Sequence, residues 1–152
     1  HSRRIIDQMN EDAYNDIYRM RYFLVLVIMF LATLSFSSCH ESLEQRAARE
    51  ADEFTRKNCP TPVKDDTRTD SLVFNEDSRT LVYYYTLSGK ADNPAVIEAN
   101  KAKLKEILRT TVANATQLRI YKEAGFSFRY VYHSAAHPDS VLLDLTFTSA
   151  DL

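Results

Sequence analysis

Four stretches of this chain alternate apolar and polar residues with a period of two, and that alternation constrains the fold more than any other feature. In "FSFRYVYH", Phe126, Phe128, Tyr130 and Tyr132 share one side. In "VLLDLTFT", Val141, Leu143, Leu145 and Phe147 do the same. "DSLVFNEDSRTLVYYYTLS" holds two more strands about a polar loop at Glu76 to Arg79. Such alternation is what a half-buried strand requires, because successive side chains point to opposite faces of a sheet. Nine Tyr and eight Phe against only two Gly suit strand surface better than flexible linker.

Register follows from the same pattern. Pairing Asn75 with Thr80 puts Leu72 opposite Tyr83 and Phe74 opposite Leu81. One face then carries Leu72, Phe74, Leu81, Tyr83, Tyr85 and Leu87. A slip by one residue would mix the two faces. In the second hairpin the expected pairing sets Phe126 by Phe147, Phe128 by Leu145, Tyr130 by Leu143 and Tyr132 by Val141. Arg129 is then expected directly across from Asp144, and Ser127 across from Thr146.

Two helices flank the strands. Ser42 with Gln45 three residues on forms a capping box, in which each side chain serves the other's free amide. Leu43, Ala47, Ala51 and Phe54 fall on one stripe of this first helix. Cys59-Pro60-Thr61-Pro62 stops it, since proline lacks a donor and turns its predecessor away from helix. Val63 to Thr69 reads as a loop. Asn93-Pro94 opens the second helix, with Asn as cap and Pro at the first helical position. Its expected buried stripe is Ile97, Leu104, Leu108, Thr111 and Ala115, flanked by Val96, Ile107 and Val112. A short segment from Gln117 to Ala124 ends at Gly125, a left-handed stop. The order is α-ββ-α-ββ: a four-stranded antiparallel sheet with helices packed on one face, in a compact α+β domain.

Upstream stands a different kind of segment. Tyr22 to Phe36 is nearly unbroken apolar sequence, shorter than the roughly 20 residues a bilayer-spanning helix needs. It has the length of the apolar core of a secretory signal, and Arg19 and Arg21 supply the positive residues before it. Phe36-Ser37-Ser38-Cys39 resembles the lipobox of bacterial lipoproteins, with Phe where Leu is usual, as in lipoproteins of the Bacteroidota type. The resemblance implies cleavage before Cys39, a diacylglyceryl group on its thiol, and fatty chains such as palmitate that hold the protein on a membrane. It places the protein in the bacterial cell envelope, on the periplasmic or cell-surface side. Asp7, Glu11, Asp12 and Asp16 do not suit a basic leader. Residues 1–19 therefore read as an upstream extension before a start at Met20, residues 20–38 as signal peptide, and 39–152 as a single exported domain. The alternative is an uncleaved anchor with Arg19 and Arg21 on the cytoplasmic side. Both readings export His40 to Leu152.

The net charge of −2 comes from 19 basic and 21 acidic residues, evenly mixed, and the Lys101, Lys103, Lys105 cluster reads as a solvated helix face. Nucleic acid is not an expected partner, because its binders concentrate Lys and Arg. Two glycines cannot build a phosphate-cradling loop, and no Ser sits in a Gly-x-Ser-x-Gly elbow. With Cys39 acylated, Cys59 is a lone thiol with no His near it in sequence, and no nucleophile is expected there. His133, His137 and Asp139 could meet round a metal, yet their spacing matches no established zinc pattern, and a solvated hairpin tip is the expected arrangement. No catalytic residue, metal or cofactor is assigned.

Tyr83-Tyr84-Tyr85 draws more interest. With Tyr83 and Tyr85 inward, Tyr84 faces out beside Val82 and Thr86, together with Arg129, Val131 and Leu142 of the other hairpin. Either the first helix covers this face, the arrangement expected here, or the face binds proteins or glycans. Tyr84, Arg129, His133 and His137 are the candidate surface residues. "NCPTPV", "TRTDSLVF" and "FSFRYVY" also look like a group of small bacterial exported proteins without assigned activity, a resemblance spanning most of Ala51 to Leu152. The leading expectation is a lipid-anchored binding or structural module. Its alternatives are a small envelope hydrolase built on His133, His137, Asp139 or Arg129, and an inhibitor or immunity-like module that recognises a protein through a sheet edge or hairpin tip.

Overall fold

A computed structural model of the chain describes residue 15, residues 18–26 and residues 40–152. Residues 18–26 are helical. Cys39 and its lipobox lie outside the described residues, and among the described residues no helix is long and apolar enough to cross a membrane. Glu41–Leu152 form one unit with its own core.

Helix α1 (Leu43–Asn58) starts at the expected capping box: the Ser42 amide donates to Gln45 Oε1 at 3.0 Å, and the Gln45 amide donates to Ser42 Oγ at 3.1 Å. Ala47 and Ala51 are its buried residues. Their small side chains let the backbone come close to the sheet, whereas Phe54 at the end of the expected stripe is 38% exposed. Near the helix end the Thr55 hydroxyl accepts from the Leu72 amide and donates to the Leu72 carbonyl, each at 2.8 Å. One side chain thus satisfies both edge groups of a β1 residue.

Strands β1 (Thr67–Asn75) and β2 (Thr80–Leu87) pair antiparallel in the expected register, with Leu72 opposite Tyr83 and Phe74 opposite Leu81. β1 starts earlier than expected, at Thr67, because a register shift between Thr69 and Ser71 lets the polar run Thr67-Arg68-Thr69 join the ladder. Helix α2 (Pro94–Asn114) is capped by Asn93, whose side chain accepts from the Ala95 and Val96 amides. Ile97 and Val112 are its buried residues, while Thr111 is exposed. A 3-10 turn at Thr116–Leu118 and the short helix α3 (Arg119–Glu123) follow, and Gly125 closes them at φ +77. Strands β3 (Ser127–Ser134) and β4 (Val141–Phe147) form the second antiparallel pair.

The sheet order is β1-β2-β3-β4 in an α+β fold. One feature corrects the expected all-antiparallel sheet: β2 and β3 run parallel. The cause is α2. Its 21 residues extend about 31 Å, enough to travel back along a strand of about 26 Å, so the chain re-enters the sheet at the end where β2 began. The β3–β4 register also differs, with Phe128 opposite Phe147 and Tyr130 opposite Leu145. That is a two-residue slip, which preserves which side chains face the core. The Ser134 amide donating to the Ser140 carbonyl at 3.0 Å closes the six-residue connection that sets this register. A second irregularity between Tyr132 and His133 leaves Val141 51% exposed rather than inward.

Both long helices pack on one face. The main core gathers Ala47, Ala51, Leu81, Val112, Tyr121, Phe126, Phe128, Tyr130 and Phe147; Leu87, Ile97 and Leu143 form a smaller cluster. Across the central strands Tyr83 stacks on Tyr130 at 4.8 Å between ring centroids and Tyr85 on Tyr132 at 4.7 Å. Fully buried Phe126 stacks on Phe74 at 5.4 Å, and the Arg79 guanidinium sits over its ring at 4.5 Å. Arg79 also pairs with Glu44 at 3.0 Å, tying the β1–β2 turn to the first turn of α1.

Two outcomes follow. Phe126→Ala is expected to lower stability by about 3–5 kcal/mol in urea unfolding, because a full ring is lost from a site that cannot collapse, whereas Phe54→Ala is expected to cost less than about 1 kcal/mol. The second concerns alkali. Burial pushes the Tyr83, Tyr85, Tyr130 and Tyr132 hydroxyls up, and burial with the Glu50 carboxylate pushes Tyr121 up to about 12. The unfolded chain releases these protons near pH 10 while the folded state retains them. Their stabilisation is complete below about pH 10 and is lost as pH rises further. Urea midpoints are expected to hold up to about pH 9 and fall beyond about pH 10, more gently in a Tyr83→Phe, Tyr132→Phe double variant.

Candidate functional site

The register places the candidate residues on the face away from the helices. Arg68, Thr86 and His133 align in one row across β1, β2 and β3. Ser71, Tyr84, Val131 and Asp144 form the next row, and Val73, Val82, Arg129 and Thr146 the third. α1 does not cover this face, contrary to expectation. Its buried residues Ala47 and Ala51 join the core on the opposite side, where the Thr55–Leu72 bonds and the Glu44–Arg79 pair tie the helix to the first hairpin. Val82 and Val131 are buried yet belong to neither core cluster.

Three of the four candidate residues thus share one face. The Tyr84 ring stacks with the His133 ring, centroids 6.3 Å apart. Arg129 grips Asp144 with both arms of its guanidinium, at 2.8 and 2.6 Å, although Thr146 is its direct cross-strand partner. The pair therefore runs diagonally, and the guanidinium holds the Asp144 carboxyl below the usual carboxylate range.

Beside Tyr84 and His133 lies a polar network that the sequence did not announce. Arg68 donates from Nε to Asp70 Oδ1 at 2.7 Å and from its terminal nitrogen to Thr86 Oγ1 at 3.3 Å, and the Thr86 hydroxyl donates to Asp70 Oδ2 at 2.6 Å. The bulge between Thr69 and Ser71 makes this closed triangle, since the extra residue it inserts is Asp70. The triangle edges a cavity of about 310 Å³ lined further by His133, Ser134, Ala135 and Pro138.

His137 is elsewhere, on the exposed β3–β4 connection. Its amide donates to Ser134 Oγ at 3.0 Å, and the Ala136 amide donates to Asp92 Oδ2 at 2.9 Å. The Ser134 hydroxyl and then the Ala136 amide hold the Asp92 carboxyl low. His137 and Asp139 line a shallow depression with Ala136, Pro138 and Ser140; His133 lines the other cavity, and Arg129 lines neither. The four residues considered for hydrolysis therefore do not converge. Among the described residues no three His, Cys, Asp or Glu side chains are placed to hold a metal. Burial and the negative charge of Asp70 push the Cys59 thiol up, which makes it a poorer nucleophile.

On the helix side two apolar cavities flank the tyrosine stack. One of about 310 Å³ runs from Ala47 and Phe54 to Tyr83, Leu118 and Tyr121; one of about 260 Å³ lies among Ile97, Leu104, Ile107, Tyr132 and Leu143.

The fold is shared with solved structures of low sequence identity. A Pseudomonas aeruginosa protein described as secreted superimposes with a TM-score of 0.58 at 11% identity, covering 72% of this chain and 96% of the other. The type II secretion system pilotin of Vibrio cholerae superimposes with a TM-score of 0.51 at 15% identity, covering 72% and 92%. No curated protein matches the chain in sequence. The profile of one family covers residues 42–143, from the N-cap of α1 to the middle of β4, and the chain belongs to that family, the domain of unknown function DUF8479.

Proposed function

We propose that this chain is a lipid-anchored protein of the bacterial cell envelope whose exported domain acts by binding rather than by catalysis. Cys39 carries the anchor, and the sheet face bearing Tyr84, Arg129 and His133 meets the partner. The observation that carries the binding half is the placement of both long helices on one face, which leaves the other without a helical layer from its own unit. Residues weighed for hydrolysis lie in separate places. The lipobox-like Phe36-Ser37-Ser38-Cys39 supports the anchor, and a fold in common with a protein described as secreted and with a secretion-system pilotin supports the envelope.

Fractionation tests the anchor. The wild-type chain is expected in the membrane fraction, with its precursor accumulating under globomycin. Cys39→Ser is expected to abolish labelling by radioactive palmitate and to leave the leader uncleaved. Unchanged processing in both experiments would remove the lipoprotein reading.

A further inference from the structure

We propose that the cavity edged by Arg68, Asp70, Thr86 and His133, with Tyr84 beside it, binds one pyranose ring of a neutral oligosaccharide. The inference rests on the reading of this sheet face as a binding surface and assigns it a ligand class.

The chemistry starts with charge. One guanidinium and one carboxylate face the cavity and are bonded to each other at 2.7 Å. A balanced pair carries no net charge, so it favours an ion of neither sign. A neutral ligand rich in hydroxyls can use the donor and the acceptor together. The triangle also has capacity in reserve. Arg68 carries five N–H donors, of which Nε and one terminal nitrogen are engaged. Each Asp70 oxygen accepts one bond within the triangle and retains a second lone pair. Planar donors and acceptors fixed side by side match two adjacent hydroxyls of a sugar ring, one donating to the carboxylate and one accepting from the guanidinium.

Preorganisation supports this assignment. Asp70 sits at the bulge, and bulges re-aim side chains beside binding sites. Thr86 lies on β2, paired on both sides, so the triangle is built on rigid strands. His133 lines the cavity with its ring stacked on that of Tyr84, and a sugar presents an apolar face of C–H groups to such rings. The site also lies at the carboxyl ends of the parallel pair β2–β3, where Leu87 pairs with Ser134. A few convergent polar groups beside aromatic surface in a concave site is the general form of a small-ligand pocket.

Saturation-transfer difference NMR on the full chain in detergent micelles tests it, with chitotriose, cellotriose, maltotriose and xylotriose as probes. Transfer to ring protons of at least one sugar is expected, with affinity reduced at least tenfold in Asp70→Asn and in Tyr84→Ala. Tyr84→Ala alters a surface ring outside both core clusters, so it remains informative if Asp70→Asn unfolds the bulge. No transfer to any of the four sugars, or an unchanged affinity in Tyr84→Ala, overturns the inference. A photo-crosslinking residue at position 84 separates the two levels. If the sugars fail and a protein is captured there, the glycan assignment falls and the binding-surface reading stands; if both fail, both fall.

Discussion

The ladder of aromatic rings across the two central strands is the contact on which the rest of this domain depends. Tyr83 against Tyr130 and Tyr85 against Tyr132 align ring on ring only if β2 and β3 run side by side in one direction and in one register. At the far end of the ladder Phe126 closes the stack against Phe74, and Arg79 covers it. Each ring buries a large apolar area, and offset pairs add about 0.5–1.5 kcal/mol beyond that area. The helices then have a defined floor: α1 settles over β1 through two alanines, and α2 reaches the β4 side through Ile97.

That commitment separates the two faces. The core side chains and both long helices lie on one side, leaving the other to polar and aromatic groups set around Val73, Val82 and Val131. The Asp70 bulge reconciles two demands on β1. Leu72 and Phe74 must point inward, and Arg68 must point outward beside Thr86. One extra residue in the strand satisfies both, and its carboxylate becomes the link between them.

Much of this was legible in the chain because the signals are local. Ser42 with Gln45 and Asn93 with Pro94 start helices by chemistry contained within a single turn. Asn75 with Thr80 pins the first hairpin because its loop is short. Direction was not legible, since a parallel and an antiparallel strand share the same period of two, and only the return length of α2 distinguishes them. The second hairpin shows the same limit: a slip of two residues keeps Tyr130 and Leu145 inward, so the pattern is blind to it and the tip hydrogen bonds decide. Tyr84, Arg129 and His133 were recoverable from parity alone. Arg68, Asp70 and Thr86 were not seen together, because "TRT" before Asp70 carries no apolar periodicity and reads as a loop until the bulge brings it into the ladder.

The contact between Glu44 and Arg79 has a geometric consequence. It puts the start of α1 at the turn joining β1 to β2, whereas Thr86, His133 and Ser134 lie at the far end of the same strands. The polar cavity and the N-terminus of α1 therefore stand at opposite ends of the sheet, separated by roughly the length of its strands, about 20–25 Å, so a ligand in the cavity leaves the helix start and the β1–β2 turn free for other contacts.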